Sequence, residues 1–276
     1  MVGNETRLSI LEALWRAEES PASFSDIRDD VGIRDSAQFN YHLQELTDGF
    51  VAKDGDGYVL RTAGKKIVRA VLAGSFNEHP RIAPFEIGDD CTRCGATLEA
   101  SYAEEELEVT CTDCDASHGR YAFPPGGLHN RDRDELLAAF DDRVRHLHCL
   151  AADGVCPECS GRMHTEIITE RDEDCCLDLG VRAEHLCEQC HHELCSPVGM
   201  RLLDHGAVVS FYEDHGVTLS EQPYWTLPWC VDDGYTEVEA VDPFELTVRM
   251  PVHGEELRVT VDGDVEVLGV ERVQVA

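Results

Sequence analysis

The stretch Asp35–Lys66, DSAQFNYHLQELTDGFVAKDGDGYVLRTAGKK, decides how the first quarter of this chain folds. Asp35 stands as a helix N-cap, because its side chain can accept the free amide hydrogens of a first helical turn. Behind it Phe39, Leu43 and Leu46 recur at helical spacing and predict one buried stripe, with Gly49 as the stop. Phe50–Lys53 then reads as a strand, Asp54-Gly55-Asp56-Gly57 as a tight turn and Tyr58–Leu60 as the returning strand. Thr62 reads as the cap of a further helix, in which Ile67, Val68, Val71 and Leu72 are apolar.

Two more helices are predicted upstream. In ETRLSILEALWRA, with Asn4 as N-cap, Leu8, Leu11, Leu14 and Trp15 share a stripe and Ile10 lies beside it. In FSDIRDDVGI, Ser25 reads as the cap and Phe24 as a staple; Ile27 and Val31 are four apart, and Gly32 ends the helix. Two short helices joined by a Gly-containing turn match a helix-turn-helix. Followed by a hairpin and a last helix, the order is that of a winged helix. The residues also resemble the ArsR-type winged-helix family of transcriptional regulators, in TRLSIL, FNYHLQELTDGFV and GDGYVLRTAGKKI, over about residues 4–73. The resemblance implies a DNA-binding domain over residues 1–74. It does not carry metal sensing with it, since residues 1–74 contain no cysteine.

With Phe39, Leu43 and Leu46 facing inward, Ser36, Ala37, Gln38, Asn40, Tyr41 and Gln44 are left to face outward. Asn and Gln can pair with adenine edges in a major groove, and Ala can touch a thymine methyl. His42 is read as a packing or capping residue rather than a base contact. All three lysines of the chain, Lys53, Lys65 and Lys66, lie in the quoted stretch, with Arg61 between them. These four cations flank the hairpin and are assigned to phosphate contact.

Charge divides the chain. The formal net charge is −32, with twenty arginines against three lysines; residues 1–74 carry a net −3 and the remainder −29. An acidic surplus of this size keeps a protein soluble where salt is concentrated, which points to a halophilic source. If any part meets a polyanion, it is the near-neutral first part. No run of about 18 apolar residues exists, and the N-terminus lacks the basic start and apolar block of a signal peptide. A cytoplasmic protein without a membrane span is expected.

Cysteine spacing gives the second strong signal. Thirteen cysteines include four CxxC pairs, Cys91/Cys94, Cys111/Cys114, Cys156/Cys159 and Cys187/Cys190. A cytoplasmic chain has little use for them as structural disulfides. Zn²⁺ takes four thiolates in a tetrahedron, which two CxxC turns can supply together. Between the first two pairs, Leu98–Tyr102 and Leu107–Thr110 alternate as a hairpin; between the second two, His164–Thr169 and Val181–Cys187 do the same. Each set resembles a zinc ribbon, so two structural four-cysteine zinc sites are predicted within residues 85–195. A helix with Leu136, Leu137, Phe140, Val144 and Leu147 on one side joins them, and 75–84 reads as a linker. Cys149, Cys175, Cys176, Cys195 and Cys230 are left without a role; Cys195, His191 and His192 could substitute as ligands.

Residues 196–276 read as two short helices and then a small antiparallel sheet from TEVEAV, FELTVRM, ELRVTV and VEVLGVERV. Tyr224, Trp225 and Trp229 are assigned to core packing beneath it, with a ligand pocket as the alternative. This part loosely resembles an uncharacterised C-terminal region of haloarchaeal winged-helix proteins. The fold class is therefore α+β: a winged helix-turn-helix, two zinc-ribbon-like modules and a β-rich C-terminal region for dimerisation or sensing. The function that follows is a homodimeric transcriptional regulator reading double-stranded DNA. The alternative is a basal accessory factor docking on RNA polymerase, since a winged helix followed by a zinc ribbon resembles archaeal transcription factor E. No nucleophile motif, carboxylate pair or phosphate loop points to an enzyme.

Overall fold

The computed structural model describes residues 4–170 and 179–275. The described residues form a mixed α+β structure with seven α-helices and four small sheets, all antiparallel. They fall into two compact units. One comprises Met1–His79 with Pro124–His129, the other Pro80–Phe123 with Asn130–Ala276.

The first unit runs α1 (Glu5–Arg16), β1 (Ala22–Ser23), α2 (Phe24–Val31), α3 (Ser36–Leu46), β2 (Val51–Asp54), β3 (Gly57–Leu60) and α4 (Thr62–Leu72). The Asn4 side chain accepts from the Arg7 amide at 3.3 Å, and Asp35 accepts from Ala37 and Gln38 at 2.8 and 3.2 Å, so both predicted caps hold. The α2 cap is Ser23 rather than Ser25, because Phe24 already belongs to the helix and Ser23 receives the Asp26 amide. Gly32 ends α2 in the left-handed region, φ 75°, as its lack of Cβ allows. The other stops and starts move slightly: α3 ends at Leu46 with Thr47 as cap instead of running to Gly49, and Arg61, not Thr62, precedes α4.

Ile10, Leu11, Leu14, Ile27, Phe39, Leu43, Leu46, Val51 and Val68 form the core of this unit. Trp15, read as part of the α1 stripe, instead lies at the surface beneath the Arg69 guanidinium, 5.6 Å from its ring centroid. The hairpin forms as predicted but its turn is narrower, since Asp54 and Gly57 belong to the strands and only Gly55 and Asp56 link them, and its sheet gains a strand that was not expected. The order is β1-β3-β2, with Ala22 opposite Tyr58. Gly64 lets α4 lie close to the hairpin. A Cβ there would come within 2.4 Å of the Phe50 carbonyl oxygen.

The second unit begins with a four-stranded meander, β4 (Ile82–Asp90), β5 (Thr97–Ala103), β6 (Glu106–Cys111) and β7 (Ser117–Ala122). β4 starts inside the stretch read as a linker. α5 (Arg133–Ala152) opens with a reciprocal cap between Asp132 and Glu135 and buries Leu136, Leu137, Phe140, Val144 and Leu147 as predicted. A second sheet, ordered β10-β9-β8, contains β8 (Met163–Ile168), β9 (Arg182–Cys187) and β10 (Glu193–Ser196). After a 3₁₀ turn at Val198–Leu202 come α6 (Gly206–Asp214) and the short α7 (Pro228–Val231). The chain closes with the meander β11 (Thr236–Val241), β12 (Phe244–Val252), β13 (Glu255–Val261) and β14 (Val267–Gln274). Tyr224, Trp225 and Trp229 are buried, in contact with Tyr121, Phe140 and Tyr212, so they serve the core rather than a pocket.

Candidate metal centres and nucleic-acid interface

The four CxxC turns share one local geometry. In each, the first cysteine is buried and the second exposed. The residue after the second cysteine is left-handed: Gly95 at φ 76°, Asp115 at 55°, Ser160 at 61° and His191 at 58°. The first cysteine's amide donates five residues forward, Cys91 to Ala96, Cys111 to Ala116, Cys156 to Gly161 and Cys187 to His192, at 2.7–3.0 Å. This closes each loop so that its amides point at sulfur. Arg93 N–H lies 3.4 Å from the Cys91 sulfur, Asp113 N–H 3.5 Å from Cys111, and Gln189 N–H 3.4 Å from Cys187.

The turns pair as their spacing predicts. Cys91, Cys94, Cys111 and Cys114 form one group and Cys156, Cys159, Cys187 and Cys190 another, with all sulfurs of a group within 4.8 Å of one another. A tetrahedron of thiolates about 2.3 Å from a zinc ion has edges of about 3.8 Å. The sulfurs stand 3.8 Å apart for Cys91–Cys114, 3.4 Å for Cys94–Cys111, 3.6 Å for Cys156–Cys190 and 3.5 Å for Cys159–Cys187. Both groups thus fit a four-coordinate metal ion, and zinc suits the all-sulfur donor set. A set of four protein ligands leaves no open position for substrate, which is the pattern of a structural site.

Backbone dipoles prepare one sulfur in each group for metal. The Cys190 amide, opposed by burial and aided by the Gln189 amide, brings the Cys187 thiol down to about 6. At Cys111 burial acts upward, but the amides of Cys114 and Asp113 outweigh it and bring the thiol down to about 7. Gly161 leaves room for the knuckle: a Cβ there would come within 2.8 Å of the Gln189 Cβ and crowd the sulfurs of Cys159 and Cys187 at 3.0 and 3.2 Å. Of the remaining cysteines, Cys230 is buried, Cys149 and Cys195 are half-buried and outside the sulfur groups, and Cys175 and Cys176 lie outside the described residues. His191 and His192 also stand outside the groups.

One neighbour of the first group was not foreseen. His118 on β7 is buried with Nε2 3.3 Å from the Cys91 sulfur and Nδ1 3.0 Å from the Trp225 carbonyl oxygen. Burial, only partly offset by that carbonyl, lowers its pKa. Its one sequence signal is a histidine four residues beyond a knuckle, which no spacing rule singles out.

In the first unit, Ser36, Ala37, Gln38, Tyr41 and Gln44 are exposed on α3 and Asn40 is half-buried. The Ser36 hydroxyl accepts from the Arg28 guanidinium at 2.9 Å. His42 is buried, with Tyr41 edge-on to its ring. Lys53 on β2, Arg61 before α4, and Lys65 and Lys66 in its first turns are all exposed. Arg61 donates to the Asp48 carbonyl. Among the described residues none of the three lysines forms an ion pair, whereas Arg7, Arg16 and Arg28 pair with Glu45, Asp30 and Asp29. Arg34, exposed between α2 and α3, is a further cation that the sequence reading passed over.

No helix among the described residues is long and apolar enough to cross a membrane. No curated protein matches the chain. Residues 1–71 match a domain of unknown function, DUF7347. A second domain of unknown function, DUF7351, matches residues 88–267, which is more than half of the chain and takes in all eight paired cysteines; the protein belongs to the DUF7351 family.

Proposed function

We propose that this protein is a DNA-binding transcriptional regulator, acting as a homodimer, whose first unit is an ArsR-like winged helix and whose second unit is held by two structural zinc ions. The carrying observation is the contrast within the first unit between ion-paired arginines and unpaired lysines beside the hairpin. The exposed amides of Gln38 and Gln44, with Asn40 beside them, supply the groups that read adenine edges. The order of three helices, hairpin and helix supports reading α2 and α3 as a helix-turn-helix with α3 as its reading helix. The hairpin tip carries Asp54 and Asp56, so phosphate contact falls to its flank and to the start of α4.

The net charge of −32 fits work in concentrated salt within a halophile's cytoplasm. There the Debye length shrinks to about 3 Å at 1 M, so the acidic remainder hardly repels a duplex. Counterion release also contributes little. Affinity then comes from short hydrogen bonds and groove fit, for which a few positioning cations suffice.

Selection of bound duplexes from a random pool in molar KCl tests this reading. Wild-type protein should enrich a palindrome with half-sites about one helical turn apart. Asn40→Ala with Gln44→Ala should lose about 1–3 kcal/mol per base contact removed, at unchanged melting temperature. Unchanged affinity in that double variant would refute the reading helix. Binding at nearly every promoter in the cell, without a shared sequence, would instead favour a polymerase-docking accessory.

A further inference from the structure

The closing meander has two edges, and they are built differently. At one edge β11 alternates half-buried Thr236, Val238 and Ala240 with exposed Glu237 and Glu239, and its pairing with β12 breaks between Val238 and Ala240. Charged side chains and bulges are devices that keep a strand edge from pairing with another chain. At the other edge β14 pairs with β13 without a break from Gly269 to Gln274, and its single carboxylate, Glu271, is balanced by Arg272. This strand is neutral in a stretch, residues 75–276, that carries −29. Every residue from Leu268 to Arg272 is exposed, and among the described residues no strand pairs with the outer edge of β14. A Cβ on Gly269 would meet nothing within 4 Å.

The apolar inner face of the sheet runs out onto β14. Leu257, Val259 and Val261 on β13 are buried, and Arg272 and Val270 stand opposite the first two. Arg272 is held to α6, paired with Asp214 at 2.7 Å and lying over the Phe211 ring. Further along, Val270 and Leu268 are 43% and 55% exposed. The backbone of this edge is also open to a partner. The Val275 amide donates to the Gly254 carbonyl, and alternate pairs of an antiparallel ladder exchange hydrogen bonds. The odd-numbered residues of the unbroken stretch therefore bond to β13, and Val270, Arg272 and Gln274 turn their N–H and C=O groups outward.

We propose that β14 is the dimer seam of this protein, with two copies pairing antiparallel along these edges so that their meanders become one continuous sheet. Such a contact is self-complementary under two-fold symmetry. Main-chain hydrogen bonds hold it and the apolar strip fixes its place. Centred on Arg272 or on Glu271, the pairing would set like charges opposite each other, which destabilises a sheet. Centred on Val270 it avoids both, and it covers Val270 and Leu268 of each copy. The guarded β11 edge stays outside. This seam deepens the homodimer proposed above and rests on that homodimer, not on DNA reading.

Sedimentation of the full-length, zinc-loaded protein in molar KCl, over a wide range of concentration, tests the seam. Wild type should pass from one copy per particle to two. Val270→Lys, which sets two ammonium groups on the symmetry axis, should weaken dimerisation about 10-fold or more at unchanged zinc content. Val241→Lys on β11, where the side chain is 81% exposed, should leave it unchanged. Hydrogen exchange on wild type supplies a readout that needs no variant. The amides of Val270 and Arg272 should gain protection as the dimer forms, while those of Glu271 and Val273, already bonded to β13, change little. A wild-type dimer untouched by Val270→Lys, equally weakened by Val241→Lys, or without added protection at Val270 and Arg272 would overturn the seam and leave the homodimer standing. A wild type that stays a single copy at every concentration would overturn the homodimer, and the seam with it.

Discussion

The two units are held together by different means. The first has no cysteine in its first 74 residues, carries a net −3 there, and closes around a continuous apolar core from Ile10 to Val68. The remainder of the chain carries −29 and all thirteen cysteines, and two of its three sheets carry the paired CxxC turns. Around the second sulfur group the buried cluster is small: Leu147, Ala151, Met163 and Leu194 beside Cys156 and Cys187. Away from the sulfur groups the same unit has an apolar core of its own, with Phe140, Trp225, Trp229, Val248 and Val259 fully buried. Around that small cluster, four thiolates on one ion would add on the order of 10–16 kcal/mol, the figure for structural sites in isolated finger peptides.

Metal removal breaks this comparison most directly. Chelation in reducing buffer should erase amide protection in β5, β6, β8 and β9 while α1, α3 and α4 keep theirs, as read by hydrogen exchange. Equal loss in both units would mean that the first also depends on metal. The converse perturbation is Phe39→Ala, which empties a fully buried site in the first core. It should cost about 3–5 kcal/mol in urea unfolding of that unit and leave two zinc ions per chain by native mass spectrometry.

Acid should act on the second unit in a graded way. Burial, then the charge of His185, holds His148 down at about 3; burial, then Arg201, holds His185 down at about 4. Their folded values lie below the ordinary value near 6.5, so the unfolded chain binds more protons as the solution is acidified. The stabilisation is complete above about pH 6.5 and is lost below it, by about 1.4 kcal/mol per pH unit for each ring. His148→Phe should flatten the urea-midpoint slope of the second unit between pH 6.5 and 5 by one ring's share, compared at matched pH so that zinc loss cancels. The smallest effect belongs to the first unit. Lys65→Gln with Lys66→Gln should make the salt dependence of duplex binding shallower by about two log units per log unit of salt, with sequence preference intact.

Much of this architecture was legible because the signals are local. A CxxC turn needs only six residues to set its amides, so four such turns announce two sulfur groups before any strand is placed. The final meander was legible from strict alternation, and α5 from its apolar stripe. Caps moved by one or two residues where neighbours competed for the role, as Ser23 and Ser25 did around Phe24. β1 was not legible, since two residues carry no period; it exists because β3 offers it an edge. β4 was hidden by Pro84 and Gly88 and pairs with β5 in a broken register. The His118–Cys91 contact spans 27 positions and depends on how β7 lies against the first knuckle, which no single-residue rule encodes.

The partnership of His118 with the Trp225 carbonyl also sets an order of events during synthesis. Cys114 leaves the ribosome more than a hundred residues ahead of Trp225. At about 5–20 residues per second, the nascent chain has on the order of ten seconds in which the first two CxxC turns have emerged and the Trp225 segment has not. An ion bound in that interval would meet the first sulfur group before the carbonyl that His118 faces has been made.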